Sequence, residues 1–360
     1  MLLSVMPINC GLGLGLVRAA NFPETATGLL QHEHNWQSQS SARMRIRAAA
    51  ARVSVPRKAV TRPLIDQIPQ TTTPAKIIPT PSSNPNKRTL EELTPTDLCY
   101  YWDTKPPTPS QLAFADKIFI PSRHSPLKLW SASKFRTTPL SSVEPEVAFL
   151  GRSNVGKSSL LNAIMGQDIC WTSSKPGRTR EMNAFGIGGT KGGEHKVVLL
   201  DMPGYGKASR SEWGMEIMKY LQGRKQLRRA FILIDSEHGI KQNDADILSL
   251  FRRYAIPHQI ILSKVDKILA KNKKQIKSGA SAIGIQRLQD LLHKLQPQVQ
   301  PDQSVSNGPG ALGEILTCSA DTHVGPGRVL GVDAVRWAIL SAAGIDGSLE
   351  GVQSTSEGFT

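Results

Sequence analysis

Several things are scarce in this chain of 360 residues, and each scarcity excludes something. No stretch approaches the roughly 18 uninterrupted apolar residues that would read as a membrane-spanning helix. The four cysteines, Cys10, Cys99, Cys170 and Cys318, stand far apart and form no C-x-x-C pair. That excludes a disulfide framework and the usual zinc spacing, and it points to a reducing compartment. Aromatic residues make up 6% and apolar residues 39%, so part of the chain is expected not to pack. Internal repeats are absent.

Acids are missing from one stretch. Residues 41–63 carry Arg43, Arg45, Arg47, Arg52, Arg57, Lys58 and Arg62 with no Asp or Glu. Arg, Ala and Ser without acids is the composition of an organellar transit peptide, so residues 1–63 are expected to be a mitochondrial targeting leader. Met44 opens a cleaner presequence than Met1 does, and a disordered basic arm is the competing reading. The whole chain carries +15, with eight basic and two acidic residues in the leader and 36 against 27 in the remainder. Residues 64–112 hold mixed Pro, Thr and Ser without helical or strand period and read as a linker. Residues 113–345 read as one folded domain with a polar insertion at 297–312, and residues 346–360 as a flexible tail.

The chain is organised around Gly151-Arg152-Ser153-Asn154-Val155-Gly156-Lys157-Ser158-Ser159. Apolar Val147–Leu150 precedes it, and Leu160, Leu161 and Ile164 follow at helical spacing. The pattern G-x-x-x-x-G-K-[ST] between a strand and a helix is a phosphate-binding loop. Its glycines let successive backbone N–H groups turn inward toward phosphate oxygens, and the helix N-terminus adds its positive end. Lys157 would reach the β- and γ-phosphates, and the Ser158 hydroxyl would ligate Mg²⁺.

Strands alternate with helices from there on, which implies a parallel sheet binding ligands beyond the carboxyl ends of its strands. Asp201-Met202-Pro203-Gly204 follows the strand Val197–Leu200; Asp201 suits Mg²⁺ and the Gly204 N–H a γ-phosphate. Thr179, after the first helix, would complete the Mg²⁺ shell. Ser263-Lys264-Val265-Asp266 ends the strand His258–Leu262. A carboxylate at Asp266 accepts from guanine N1–H and N2–H, a donor pair that adenine lacks. Ser319 and Ala320 follow the last strand, where the Ala320 N–H faces guanine O6. Lys157, Thr179 and Gly204 are the candidate catalytic groups. Ser158, Thr179 and Asp201 are the candidate metal ligands.

These boxes, in this order, resemble a Ras-like P-loop G domain. GRSNVGKSSLLNAI, SKPGRTR, DMPGYGKA and LSKVDK together resemble the EngB (YihA) family of ribosome-assembly GTPases over residues 113–345. The resemblance implies an α/β fold with a mostly parallel six-stranded sheet and helices on both faces. It implies binding of GTP and GDP with Mg²⁺, and rRNA of a large-subunit precursor as partner; no DNA partner is expected. With the leader, it suggests an organellar, mitochondrial member. Ser263 departs from the usual Asn or Thr, although its hydroxyl can still bridge to the phosphate loop.

Tyr205 stands where Ras-like proteins carry a water-orienting Gln, so intrinsic hydrolysis is expected to be slow. Asn154 resembles the asparagine through which some related GTPases bind K⁺; a loop residue bonding to backbone is the other reading. Lys219, Arg224, Lys225, Arg228 and Arg229 cluster after Gly204, followed by Lys264, Lys267, Lys271, Lys273, Lys274 and Lys277. They are read as a phosphate-contacting surface or as solvated helix faces. A GTP-binding module with negligible turnover and a GTPase of tRNA modification or translation stay open as alternatives. The oligomeric state stays open too.

Overall fold

The run Glu146–Gly151 becomes a strand with all six residues buried, the form a mostly apolar run takes between parallel strands in a sheet covered on both faces. The computed structural model describes residues 87–139, 143–170, 181–191, 193–205, 211–270, 273–301 and 308–347. All of them belong to the unit Ile77–Thr360. The leader 1–63, the linker residues up to 86, Thr179 and the tail from 348 lie outside the described residues.

The strands are β1 (Lys87–Arg88), β2 (Tyr100–Tyr101), β3 (Leu127–Ala132), β4 (Glu146–Gly151), β5 (Met182–Ile187), β6 (Val197–Asp201), β7 (Leu227–Asp235), β8 (His258–Ser263), β9 (Ala280–Ser281) and β10 (Glu314–Thr317). The helices are α1 (Pro95–Leu98), α2 (Pro109–Ile118), α3 (Lys157–Met165), α4 (Ser211–Gly223), α5 (Gln242–Arg253), α6 (Asp266–Leu269), α7 (Lys273–Lys277), α8 (Ala282–Val299) and α9 (Val332–Ala342). Eight strands form one sheet in the order β2-β10-β8-β7-β4-β6-β5-β3, while β1 and β9 make a separate antiparallel ribbon.

The five strands from β10 to β6 are parallel. β5 runs antiparallel to β6, β3 to β5, and β2 to β10. The sheet is therefore mixed and has two strands more than the six read from sequence. Both additions are edges. β2 has only two residues, and β3 is largely exposed with a register shift between Lys128 and Trp130, which breaks its alternation.

The linker reading fails for residues 87–112. Pro95 and Pro109 each open a helix whose N-cap is a threonine, Thr94 or Thr108. Proline at the first helical position is pre-organised, since its missing N–H would be unpaired there anyway. Leu90, Leu98 and Cys99 join the core. The insertion also begins later than expected: Pro297, Gln298 and Val299 complete α8, and the Ala311 N–H donates to Val299 O at 3.0 Å. The N-cap of α5 is Lys241. Asp244 sits inside the first turn and its carboxylate accepts from the Lys241 N–H at 2.9 Å.

Arg336 of α9 fixes the phosphate-loop helix from behind. It donates to Ile164 O at 3.0 Å and Ala163 O at 3.2 Å, the carbonyls near the end of α3, and pairs with Asp116 of α2 at 2.8 Å. A cation there is favoured by the helix dipole. Among the described residues, no helix is long and apolar enough to cross a membrane.

Candidate nucleotide-binding site

The phosphate loop closes tightly because its glycines are needed. A Cβ on Gly151 would lie 2.7 Å from Val155 Cγ1 and 3.2 Å from Leu233 Cβ. Gly156 has φ +98°, a left-handed conformation that side chains rarely adopt, and α3 begins at the next residue. Asn154 and Lys264 are also left-handed, with φ 67° and 60°. Non-glycine residues are held there only where their surroundings over-determine them.

The structure brings the separated boxes together. Lys157 is buried, and its ammonium contacts the Asp201 carboxylate at the end of β6. Gly204 lies on the phosphate loop: a Cβ on it would stand 3.2 Å from Ser153 Oγ and 3.3 Å from Ser153 N. The Ser263 hydroxyl bridges to Val155 O at 2.8 Å, so the departure from Asn or Thr keeps the link to the loop. Lys264 Nζ donates to Asn154 O at 2.9 Å and to Asp235 at 2.8 Å, with its stem 3.8 Å from where a Gly156 Cβ would be. That stem runs beside the loop as a base-stacking side chain would. Ser153, Ser158 and Ser159 are half-buried at the same strand ends.

Asp266 is set by Ser319, a site residue the motifs already named, and through it by Thr322, which they did not include. The Ser319 hydroxyl donates to Asp266 Oδ1 at 2.6 Å, and Ser319 Oγ lies 3.0 Å from Thr322 Oγ1. A carboxylate only accepts, so Ser319 gives it the proton and Thr322 donates to Ser319. Ala320 follows in a turn. A cavity of about 840 Å³ opens on Asp266 and is walled by Leu90, Glu91, Glu92, Lys277 and Thr322. That is the size of a small-ligand pocket. Its N-terminal wall was read as linker, and composition alone carried no signal for it. The Arg88–Asp97 ion pair at 2.5 Å and the β1–β9 ribbon hold that wall.

Two arginine side chains point away from the surfaces their positions suggest. Arg152 turns its guanidinium away from the loop interior, toward Asp244 at 2.9 Å and Gly239 O at 3.4 Å, leaving its backbone for a ligand. Arg224 is not a surface cation: its side chain is 2% exposed and pairs with the buried Glu146. Arg229 donates to Gln259 at 2.7 Å, and Lys267 pairs with Glu237. Lys225, Arg228 and Lys277 are exposed.

Oxygen ligands at a helix start and a strand end suit Mg²⁺, which keeps most of its shell as water and phosphate. Ser158 and Asp201 are the described residues that would hold it, and it would neutralise charge on the phosphates. A second cluster, Asp235, Glu237 and His238, puts three ligand atoms within 4.8 Å. Lys264 and Lys267 already neutralise its carboxylates.

Residues 146–264 match the model of a family described as 50S ribosome-binding GTPase. The chain is 41% identical over 207 residues to a probable GTP-binding protein EngB of Bartonella bacilliformis, covering 55% of this chain and 84% of that protein. The chain belongs to the EngB family of GTP-binding proteins. Its EngB relative in Rhizobium leguminosarum is 49% identical over 134 residues, covering 35% of this chain and 62% of that protein. A solved structure of a probable EngB is 20% identical with TM-score 0.37, covering 55% of this chain and 98% of that one. By family membership, the EngB chain is an α/β P-loop GTPase. Its nucleotide is GTP or GDP, with Mg²⁺ typical of the family.

Proposed function

We propose that this GTPase switches its affinity for the precursor of the large subunit of the mitochondrial ribosome according to the nucleotide it holds. The observation that carries the reading is the seating of Gly204 on Ser153, with α4 beginning at Ser211 further along the chain. A γ-phosphate contact at Gly204 is transmitted along the chain to the helix that leads to exposed Lys225 and Arg228. Those cations suit sequence-independent contact with rRNA phosphates. The matched family's description supports a ribosomal partner, and the acid-free, Arg-rich stretch 41–63 supports the mitochondrial address.

Thr179 would complete the metal shell when a γ-phosphate is present. Asn154 would offer its side chain to K⁺, which stimulation of hydrolysis by KCl over NaCl would reveal. Co-sedimentation with large-subunit particles at fixed salt tests the switch. Binding is expected to be tighter with a GTP analogue than with GDP, and a tenfold difference needs about 1.4 kcal/mol of coupling. Equal binding in the apo, GDP and GTP-analogue states would refute it. A reporter carrying residues 44–63 should enter mitochondria; cytosolic retention would refute the address.

One observation favours a second reading, a GTP-binding module with negligible turnover. The Tyr205 hydroxyl commits its proton to Asp244, so it is not free to donate to an attacking water. Multiple-turnover hydrolysis with and without particles separates the two.

A further inference from the structure

Asp244 is a fully buried carboxylate that the nucleotide site does not use directly. Its Oδ2 accepts from the Lys241 N–H at 2.9 Å, which meets the capping need of α5. Its Oδ1 accepts the Tyr205 hydroxyl at 2.9 Å and lies 3.1 Å from Arg152 Nε. Arg152 belongs to the phosphate loop, and Tyr205 follows the γ-phosphate candidate Gly204. One side chain therefore grips both sides of the site from α5.

The backbone repeats the connection. The Tyr205 N–H donates to Gly151 O at 3.2 Å, and Tyr205 bridges Arg152 in parallel register. Gly204 is consequently fixed from two directions: Ser153 lies against it, and the residue after it is tied at main chain and side chain. Burial pushes the Tyr205 phenol well above its ordinary value, and the neighbouring Asp244 charge pushes it further. The phenol stays a neutral donor, and its bond to a buried carboxylate is of the stronger, charge-assisted kind.

We propose that Asp244 is a positioning residue of this GTPase. By holding Arg152 and Tyr205 on one carboxylate, it keeps Gly204 placed for a γ-phosphate and sets the preference for GTP over GDP. The proposal rests on the guanine-nucleotide reading of the site. The Tyr205 N–H bond to Gly151 O needs no hydroxyl, and the α- and β-phosphates would be held by the backbone of residues 153–158 and by Lys157, none of which depends on that hydroxyl. Only the γ-phosphate contact does. Loss of the Tyr205–Asp244 bond should therefore separate the two nucleotides, whereas a general loosening of the fold would weaken both.

The test uses the full chain and fluorescent GDP and a non-hydrolysable GTP analogue. Tyr205→Phe removes one hydroxyl and keeps the ring in the core. It should weaken the GTP analogue about tenfold, about 1.4 kcal/mol, while GDP affinity stays within about twofold. Asp244→Asn, which keeps shape and loses charge, should shift the ratio in the same direction. An unchanged GTP-to-GDP ratio in both variants would overturn the proposal, as would equal losses for both nucleotides. A wild-type chain that does not distinguish guanine from adenine nucleotides would overturn the reading beneath it, and the proposal with it.

Discussion

Removing the negative member of the Glu146–Arg224 pair should destabilise the fold without touching the site. Glu146 is completely buried and Arg224 is 2% exposed at its side chain. Glu146 Oε1 accepts Arg224 Nη2 at 2.7 Å, and Oε2 accepts the Tyr220 hydroxyl at 2.7 Å and Arg224 Nε at 2.9 Å. Arg224 Nη1 reaches the Pro139 carbonyl. The group joins the end of α4 to the first residue of β4, at the opposite end of that strand from the phosphate loop. Breaking a buried pair from one side leaves an uncompensated charge and costs about 3–5 kcal/mol. Glu146→Gln keeps one acceptor, so the lower figure applies, about 3 kcal/mol. At about 2–4 °C per kcal/mol for a domain of this size, Tm should fall by roughly 6–12 °C. Replacing the whole group, with Glu146→Met, Arg224→Met and Tyr220→Phe, should recover most of the loss, because no buried charge remains. Calorimetry and urea titration read the stability, and co-sedimentation reads the partner. Arg224→Met should lower Tm, whereas Lys225→Ala and Arg228→Ala should weaken rRNA binding at constant Tm. A Glu146→Gln variant as stable as wild type would refute the reasoning. So would Arg224→Met losing RNA affinity with an unmoved Tm.

Three further outcomes are expected. Asp266→Asn should weaken GTP and relax rejection of xanthine nucleotides, because the acceptor becomes partly a donor; equal wild-type affinity for ATP and GTP would defeat the guanine assignment. His258 is buried, its Nδ1 donates to Ile256 O at 2.8 Å, and its Nε2 has no partner among the described residues. Burial, and secondarily the Arg252 charge, hold its pKa below the ordinary 6.5. The unfolded chain therefore takes up this proton first, and stability falls as pH drops below about 6.5. His258→Asn, which can still donate to Ile256 O, should flatten that part of a Tm-against-pH curve, and an unaltered slope would argue against it. Replacing Leu90-Glu91-Glu92 by Gly-Ser-Gly should hasten GDP release severalfold in a displacement assay, since those residues wall the cavity at Asp266. An unchanged release rate would show that the wall does not close on nucleotide.

What the sequence disclosed follows from how each feature is encoded. The central strands were legible because burial on both faces demands unbroken apolar runs, as in Phe231–Ile234 and Ile260–Leu262, all fully buried. The phosphate loop was legible because its glycines are dictated locally, by a φ of +98° at Gly156 and a close approach at Gly151. The edge strand β3 was not, since exposure leaves little pattern and a register shift disrupts what remains. The segment 87–112 was hidden by its prolines, two of which, Pro95 and Pro109, serve as helix starts rather than breaks. Charge was the least legible quantity. Arg224 and Lys225 are adjacent in the chain, yet one is enclosed with Glu146 and the other faces water. Asp244 shows why. It lies in the first turn of α5, and accepting the Lys241 N–H there accounts for one of its oxygens. The other oxygen meets Tyr205, 39 positions away, which no local pattern announces. Motifs fix what touches the ligand because the ligand imposes the same chemistry wherever it binds. The groups that hold those motifs in place answer only to this chain's packing, so they emerge when the chain is folded.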